Sequence, residues 1–139
     1  MIRPLLSCFL LLLACPVLAE APFAIQSVGE ESPQGFSRIF SKRVVVFRIP
    51  VYATSQTPDN KVLHAAGVLA QYLDNDEDGT ANDTEVIRSM TQEHGGSGLV
   101  MFGTEMEIES SGIFDAPLPD MHLQDLYAEE TMPEGSEAS

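Results

Sequence analysis

The chain has 139 residues, of which 44% are hydrophobic and 20% are charged, so it can bury one core but is too short for two domains. Its 21 acidic residues against 7 Lys and Arg give a formal net charge of -14. This charge argues against nucleic acid and anionic membranes as partners, because both are bound through basic patches. It is compatible with metal cations and with basic surfaces.

The first 19 residues have the order of parts of a secretory signal peptide. Arg3 supplies a positive charge, residues 5–14 are almost entirely apolar, and Val17-Leu18-Ala19 forms a small-residue cleavage site before Glu20. The apolar stretch is shorter than the roughly 20 residues that a spanning helix needs, and nothing later is long and apolar enough. We therefore predict an exported protein, periplasmic or secreted, without a transmembrane segment.

Both cysteines of the chain, Cys8 and Cys15, lie in this leader, so the mature domain is expected to contain no disulfide. Leu12-Leu13-Ala14-Cys15 also resembles the lipobox of bacterial lipoproteins, which would tether the protein through Cys15. This lipid anchor is the less favoured alternative. The apolar stretch would then be unusually short, and Pro16 would follow the modified residue.

The next segments predict a lead-in and the start of one domain. Residues 20–37 are rich in Glu, Gly, Ser and Pro and predict an irregular lead-in with one short strand near residues 23–28. Residues 38–131 are predicted to form one small globular domain of the α+β class. Its strand Arg43–Tyr52 is rich in β-branched residues, and Pro50 should lie at a sheet edge or interrupt that strand.

Two helices are predicted in the middle of the domain. The first starts with Thr57 as its N-cap and Pro58 at its first helical position. Its apolar residues recur at helical spacing and form one stripe: Val62, Ala66, Leu69 and Leu73. The second helix is predicted from about Thr84 to Glu93, ending before Gly95-Gly96.

The sequence patterns that indicate secondary structure become weaker after the second helix. Residues 99–102 predict a short strand, and the alternation of Glu with Met and Ile over residues 105–109 predicts an amphipathic strand. Residues 124–130 predict one or two helical turns. The polar residues 132–139 are expected to form a disordered tail.

The segment between the two helices carries a metal-binding pattern. Residues 74–85 read DNDEDGTANDTE and fit D-x-[DN]-x-[DN]-G-x5-E. Ca²⁺ takes six to eight oxygen ligands, and a tightly wound loop can direct alternate side chains inward. The alternative is a solvated acidic turn. Such a turn requires neither Gly79 at the sixth position nor Glu85 at the twelfth, and its carboxylates would repel one another without a cation.

This loop and its flanking helices, residues 58–94, resemble the EF-hand family. The resemblance implies a helix–loop–helix unit with one Ca²⁺ as cofactor, held by Asp74, Asp76, Asp78, Thr80, Asn82 and Glu85. In such a loop Thr80 offers its main-chain carbonyl, Asn82 binds directly or through water, and Glu85 is bidentate. Ala81 replaces the usual Ile, Leu or Val, and no second loop of this kind occurs in the sequence. Paired-loop cooperativity and a sensor role are therefore not expected.

More loosely, residues 61–73, 99–102 and 124–131 are similar to a group of uncharacterised exported proteins that carry such a loop. Longer members continue into a Glu/His segment suggestive of a zinc hydrolase, and this chain would then be a truncated member. Zinc is not expected at His64, His94 or His122, because structural zinc takes four N or S ligands and no H-E-x-x-H motif is present.

Calcium binding by an exported protein with a single EF-hand loop is the function that these observations favour, with the ion stabilising local structure. Two alternatives remain open: an extracytoplasmic hydrolase, truncated or with unrecognised catalytic residues, and a calcium-dependent protein-interaction module. A role as an enzyme is less favoured, because the sequence contains neither G-x-S-x-G nor a glycine-rich phosphate loop. The sequence indicates no substrate and no protein partner.

Overall fold

The computed structural model describes residues 23–113, 120–128 and 131. Its strands are β1 (Gln26–Ser27), β2 (Lys42–Val46), β3 (Ile49–Ala53), β4 (Ser97–Phe102) and β5 (His122–Tyr127). Its helices are α1 (Phe36–Ile39), α2 (Asp59–Leu73), α3 (Thr84–Gln92) and α4 (Glu105–Ser110), and a 3-10 turn, Glu93–Gly95, follows α3. Helices and a five-stranded sheet in one small domain confirm the predicted α+β class. The predicted signal peptide and the predicted tail, residues 132–139, lie outside the described residues.

The five strands form one mixed sheet in the order β1-β2-β3-β4-β5. The first three strands are antiparallel, whereas β4 runs parallel to both β3 and β5. Parallel neighbours need a crossover connection, because a tight turn reverses the chain direction. α2 and α3 are that crossover between β3 and β4. The loop between them is therefore part of a long connection rather than of the sheet.

The predicted strand Arg43–Tyr52 is in fact two strands, so this prediction was wrong in its extent. The pair Val46↔Ile49 leaves Phe47 and Arg48 as a two-residue hairpin turn with φ angles of 46° and 73°. Two-residue hairpin turns favour positive φ, which Asn-Gly or Asp-Gly usually supplies. A Phe-Arg pair between β-branched residues carries no such signal, so the sequence pattern does not predict this turn.

Pro50 neither lies at a sheet edge nor interrupts a strand, so this prediction was wrong: it is the second residue of β3, the central strand of the sheet. It is opposite Val45 of β2, and the pairing of β3 with β4 begins one residue later, at Val51↔Leu99. Because proline has no N–H, this position between the hairpin turn and the first β4 pair limits the loss of ladder hydrogen bonds.

The start of α2 differs from the prediction in its cap. Pro58 is the N-cap, with φ -60° and ψ 140°, and no side chain caps the helix. Thr57 is instead fully buried, and its hydroxyl donates to the carbonyl oxygen of Met101 at 3.3 Å. It thereby ties the start of α2 to β4. The predicted N-cap role of Thr57 was wrong, because a tertiary contact uses the hydroxyl.

Two predictions near the C-terminal end were also wrong. Residues 105–109 belong to α4, which begins where the Thr104 hydroxyl accepts a hydrogen bond from the N–H of Glu107 at 3.3 Å. The Glu107 carboxylate in turn accepts from the N–H of Gly103 at 2.6 Å. These two hydrogen bonds at the start of α4 favour a helix over the strand that the alternation suggested. Of residues 124–130, predicted as helical turns, residues 124–127 lie in β5, where pairing with β4 determines the extended conformation, and residues 129–130 lie outside the described residues. The helix α1, at the end of the predicted lead-in, was not predicted.

The core occupies both faces of the sheet, because alternate strand residues point to opposite sides. On one face α2 packs on the sheet, and this cluster includes Val51, Ala53, Met101, Val62 and Ala66. On the other face α1 and α4 pack on a second cluster, which includes Tyr52, Val100, Phe102, Phe36 and Ile108. α2 and α3 are thereby anchored to one side of the sheet. Among the described residues, no helix has both the length and the apolar character needed to cross a bilayer.

Candidate metal centre

The loop between α2 and α3 is fixed at both ends by hydrogen bonds. Asp74 leaves the helical conformation, with φ -135° and ψ 80°, while its N–H still donates to the carbonyl oxygen of Ala70. Asp83 caps α3, because its side chain accepts hydrogen bonds from the N–H groups of Glu85 at 2.8 Å and Val86 at 3.2 Å. Such a cap satisfies two of the N–H groups that a helix start leaves unpaired.

The loop turns sharply between these ends. Glu77 and Gly79 have φ angles of 56° and 85°, both in the left-handed region. A Cβ built at Gly79 would meet no atom within 4 Å. Glycine is therefore favoured there by the backbone conformation and not by lack of space.

Three carboxylates converge inside the turn. Asp74, Asp76 and Asp78 each place one oxygen within 4.8 Å of the others. In the part of the chain that the structure describes, this is the one group of three or more His, Cys, Asp or Glu side chains gathered in this way. Asp74 is buried, with 7% of its surface exposed, whereas the other two side chains are open to solvent. A cation at this position would therefore contact one carboxylate that the protein encloses, Asp74, and two that are open to solvent, Asp76 and Asp78.

Backbone N–H groups orient two of these carboxylates. The oxygens of Asp74 accept from the N–H of Asp78 at 3.1 Å and from the N–H of Gly79 at 2.8 Å. Asp78 accepts from the N–H of Thr80 at 2.7 Å. Each carboxylate has further lone pairs, so these hydrogen bonds do not prevent it from binding a cation.

Asn82 connects the end of the loop to its beginning through hydrogen bonds. Its main-chain N–H donates to the carbonyl oxygen of Leu73 at 2.8 Å, and its side-chain amide donates to Asp76 at 3.0 Å. Its side-chain oxygen accepts from the N–H of Asn75. Asn82 therefore lies beside the three carboxylates. Its oxygen, however, is engaged by the backbone.

Glu85 lies apart from this group. It is in the first turn of α3, and its carboxylate accepts from the Nε of Arg88 at 3.0 Å and from the Nη2 at 2.8 Å. Both side chains are exposed, at 74% for Glu85 and 52% for Arg88. The structure therefore brings together three of the six predicted ligands, Asp74, Asp76 and Asp78. Thr80 and Asn82 are hydrogen-bonded to this group. Glu85 is paired with Arg88 instead. The sequence analysis did not consider Arg88, although its spacing of three residues from Glu85 allows such a pair on one helix face.

The electrostatics of the loop favour a cation. Residues 74–85 contain no Lys or Arg, and their six acidic residues are Asp74, Asp76, Glu77, Asp78, Asp83 and Glu85. Like charges this close raise the free energy of the folded loop unless a counter-charge is present.

Comparison of the chain with family models, with curated proteins and with solved structures gives no match.

Proposed function

We propose that this protein binds one Ca²⁺ ion in the loop of residues 74–85, and that the ion stabilises the helix–loop–helix unit in the manner of a single EF hand. The observation that supports this proposal is the convergence of Asp74, Asp76 and Asp78 within 4.8 Å. Calcium–oxygen distances are about 2.3–2.6 Å, so two oxygens on one ion are separated by no more than about 5 Å. The three carboxylates already meet that limit.

The choice of Ca²⁺ over Mg²⁺ follows from the ligand set. Mg²⁺ demands near-octahedral geometry at about 2.0–2.1 Å and keeps several of its waters, whereas Ca²⁺ accepts more ligands in a flexible arrangement. This loop offers the larger number of oxygen ligands that Ca²⁺ accepts: three Asp side chains, the carbonyl of Thr80 and the Glu at the twelfth position. In this proposal Glu85 exchanges its ion pair with Arg88 for the bound calcium.

Calcium titration by calorimetry tests the proposal with two matched variants. Asp76→Asn and Glu77→Gln each neutralise one exposed carboxylate of the same loop, but only Asp76 belongs to the converging group. We expect Asp76→Asn to weaken calcium binding by about tenfold or more, and Glu77→Gln to change it by less than about threefold. Equal losses in the two variants would indicate a diffuse acidic turn. Absence of binding at millimolar Ca²⁺ would contradict the proposal outright.

We also propose that the protein is exported, on the evidence of the leader in residues 1–19. Calcium outside the cytoplasm is abundant enough for the weak sites, of about 10⁻⁴–10⁻³ M, that extracellular modules use. Mass spectrometry of the protein from its native source is expected to show a chain that begins at Glu20. A lipid-modified Cys15 would instead support the tethered form, and a chain that retains Met1 would contradict export through cleavage.

A further inference from the structure

Two of the three histidines meet outside the calcium loop. His94 lies in the 3-10 turn after α3, and His122 is the first residue of β5. Their ring centroids are 5.0 Å apart, and the ring planes are inclined by 87°. Both residues are exposed. Because they come from segments distant in sequence, only the fold brings them together.

The backbone holds the two histidines in register. The N–H of His122 donates to the carbonyl oxygen of Gly96 at 2.9 Å. A Cβ at Gly95 would come within 2.0 Å of the Asp120 carbonyl oxygen, so only glycine permits this approach of the two segments. His94 itself has φ 48° and ψ 42°, a left-handed conformation that residues other than glycine adopt infrequently. Main-chain contacts therefore hold the backbones of the two histidines close together.

We propose that His94 and His122 form an open surface site for a divalent transition-metal ion such as Zn²⁺ or Cu²⁺, distinct from the calcium loop. A metal–nitrogen distance of about 2.0–2.1 Å places each imidazole centroid about 3 Å from the ion. Two imidazoles at a tetrahedral angle then have centroids about 5 Å apart, and the observed separation is 5.0 Å. Rotation about the Cβ–Cγ bonds changes the direction in which the nitrogens of each ring point without backbone movement.

The ligand chemistry distinguishes this site from the loop. Imidazole suits Zn²⁺, Cu²⁺ and Ni²⁺, whereas Ca²⁺ and Mg²⁺ are held by oxygen. Within residues 23–113, 120–128 and 131, no third His, Cys, Asp or Glu joins the pair, so water completes the coordination. The site is thus an exchangeable one with two protein ligands, unlike the four-ligand structural zinc that the sequence argued against. The net charge of -14 raises the local concentration of any cation.

Zinc titration of the chain without a polyhistidine tag, in excess Ca²⁺, tests this site. His94→Asn removes the imidazole but tolerates the left-handed backbone, and His122→Gln removes the second ring from an exposed strand position. His64→Gln, in α2, is the matched control for loss of one histidine. We expect each of the first two variants to weaken zinc binding by about tenfold or more, with the control unchanged.

Two further measurements separate this site from the calcium loop. Asp76→Asn is expected to retain zinc binding, and electron paramagnetic resonance of the Cu²⁺-loaded protein is expected to show two coordinating nitrogens. Zinc affinity that survives in both His94→Asn and His122→Gln would overturn the proposal, as would its loss in Asp76→Asn or in His64→Gln. These outcomes do not depend on calcium affinity. If the histidine site does not bind zinc, the calcium proposal is unaffected, and if the loop does not bind calcium, the histidine proposal is unaffected.

Discussion

At the scale of single residues, the proposed calcium site gives the Glu85 carboxylate two competing partners. In the structure it accepts two hydrogen bonds from Arg88, at 3.0 Å and 2.8 Å. In the proposed calcium complex it is the bidentate ligand of the ion. An exposed ion pair contributes little, about 0–1 kcal/mol, because water screens it. Calcium is therefore expected to displace Arg88 easily.

This competition predicts opposite effects for two substitutions on α3. Glu85→Gln should weaken calcium binding by about tenfold or more, because a neutral amide replaces a bidentate carboxylate. Arg88→Gln should leave the affinity unchanged or raise it by up to about fivefold, because the competing partner is removed. Calcium titration by calorimetry measures both. Wild-type affinity in Glu85→Gln would show that this residue is not a ligand.

At the scale of elements, α3 is the helix that depends most on the loop. None of its residues is fully buried, and only Ile87 and Met90 pack partly against the core. Its first turn is capped by Asp83, which lies within the loop. A helix of nine residues is too short to be stable alone in water. The stability of α3 should therefore depend on whether the loop has bound a cation.

We expect calcium to slow amide hydrogen exchange in α3 relative to exchange in EGTA. α4 is the internal control, because its N-terminus is capped by Thr104 and Glu107 without any contribution from the loop. Exchange measured by mass spectrometry or NMR should show protection concentrated in residues 84–92. Equal protection of both helices, or none in α3, would count against local stabilisation by the ion.

The elements that the sequence predicted poorly are the short ones. Residues 105–109 and 122–127 each span little more than one helical turn or one short strand, so periodicity alone cannot separate the two conformations. α4 is decided by the capping pair of Thr104 and Glu107, and β5 by its pairing with β4. α2 is long enough for its apolar stripe to be unambiguous, and its observed end at Leu73 agrees with the prediction.

At the scale of the whole molecule, the acidic charge links the proposed calcium binding to stability. The chain carries a net charge of -14, and six of its acidic residues lie in one loop. Repulsion among them opposes the folded state and is relieved on unfolding. A cation that binds only the folded loop raises the free energy of unfolding by RT ln(1 + [Ca²⁺]/Kd), about 2.7 kcal/mol at a hundredfold excess over Kd.

The protein is accordingly expected to melt several degrees lower in EGTA than in millimolar Ca²⁺. Circular dichroism or calorimetry measures the shift, with NaCl at matched ionic strength as the control for screening. Asp76→Asn should lose most of the shift, and Glu77→Gln should keep it. If NaCl reproduces the whole shift, the effect is general screening and not a bound ion.

The sequence by itself determined the features that depend on neighbouring residues. The spacing of Asp74, Asp76 and Asp78 around the Gly79 turn, and the two helices on either side, follow from local backbone conformation and local hydrogen bonds, so a short window of sequence contains them. The tertiary structure alone decided the hairpin at Phe47 and Arg48, the strand β5 and the meeting of His94 with His122. β5 and the histidine pair depend on contacts between segments distant in sequence, and the hairpin depends on the pairing of two adjacent strands across residues that carry no turn signal, so none of the three can be predicted from the local pattern.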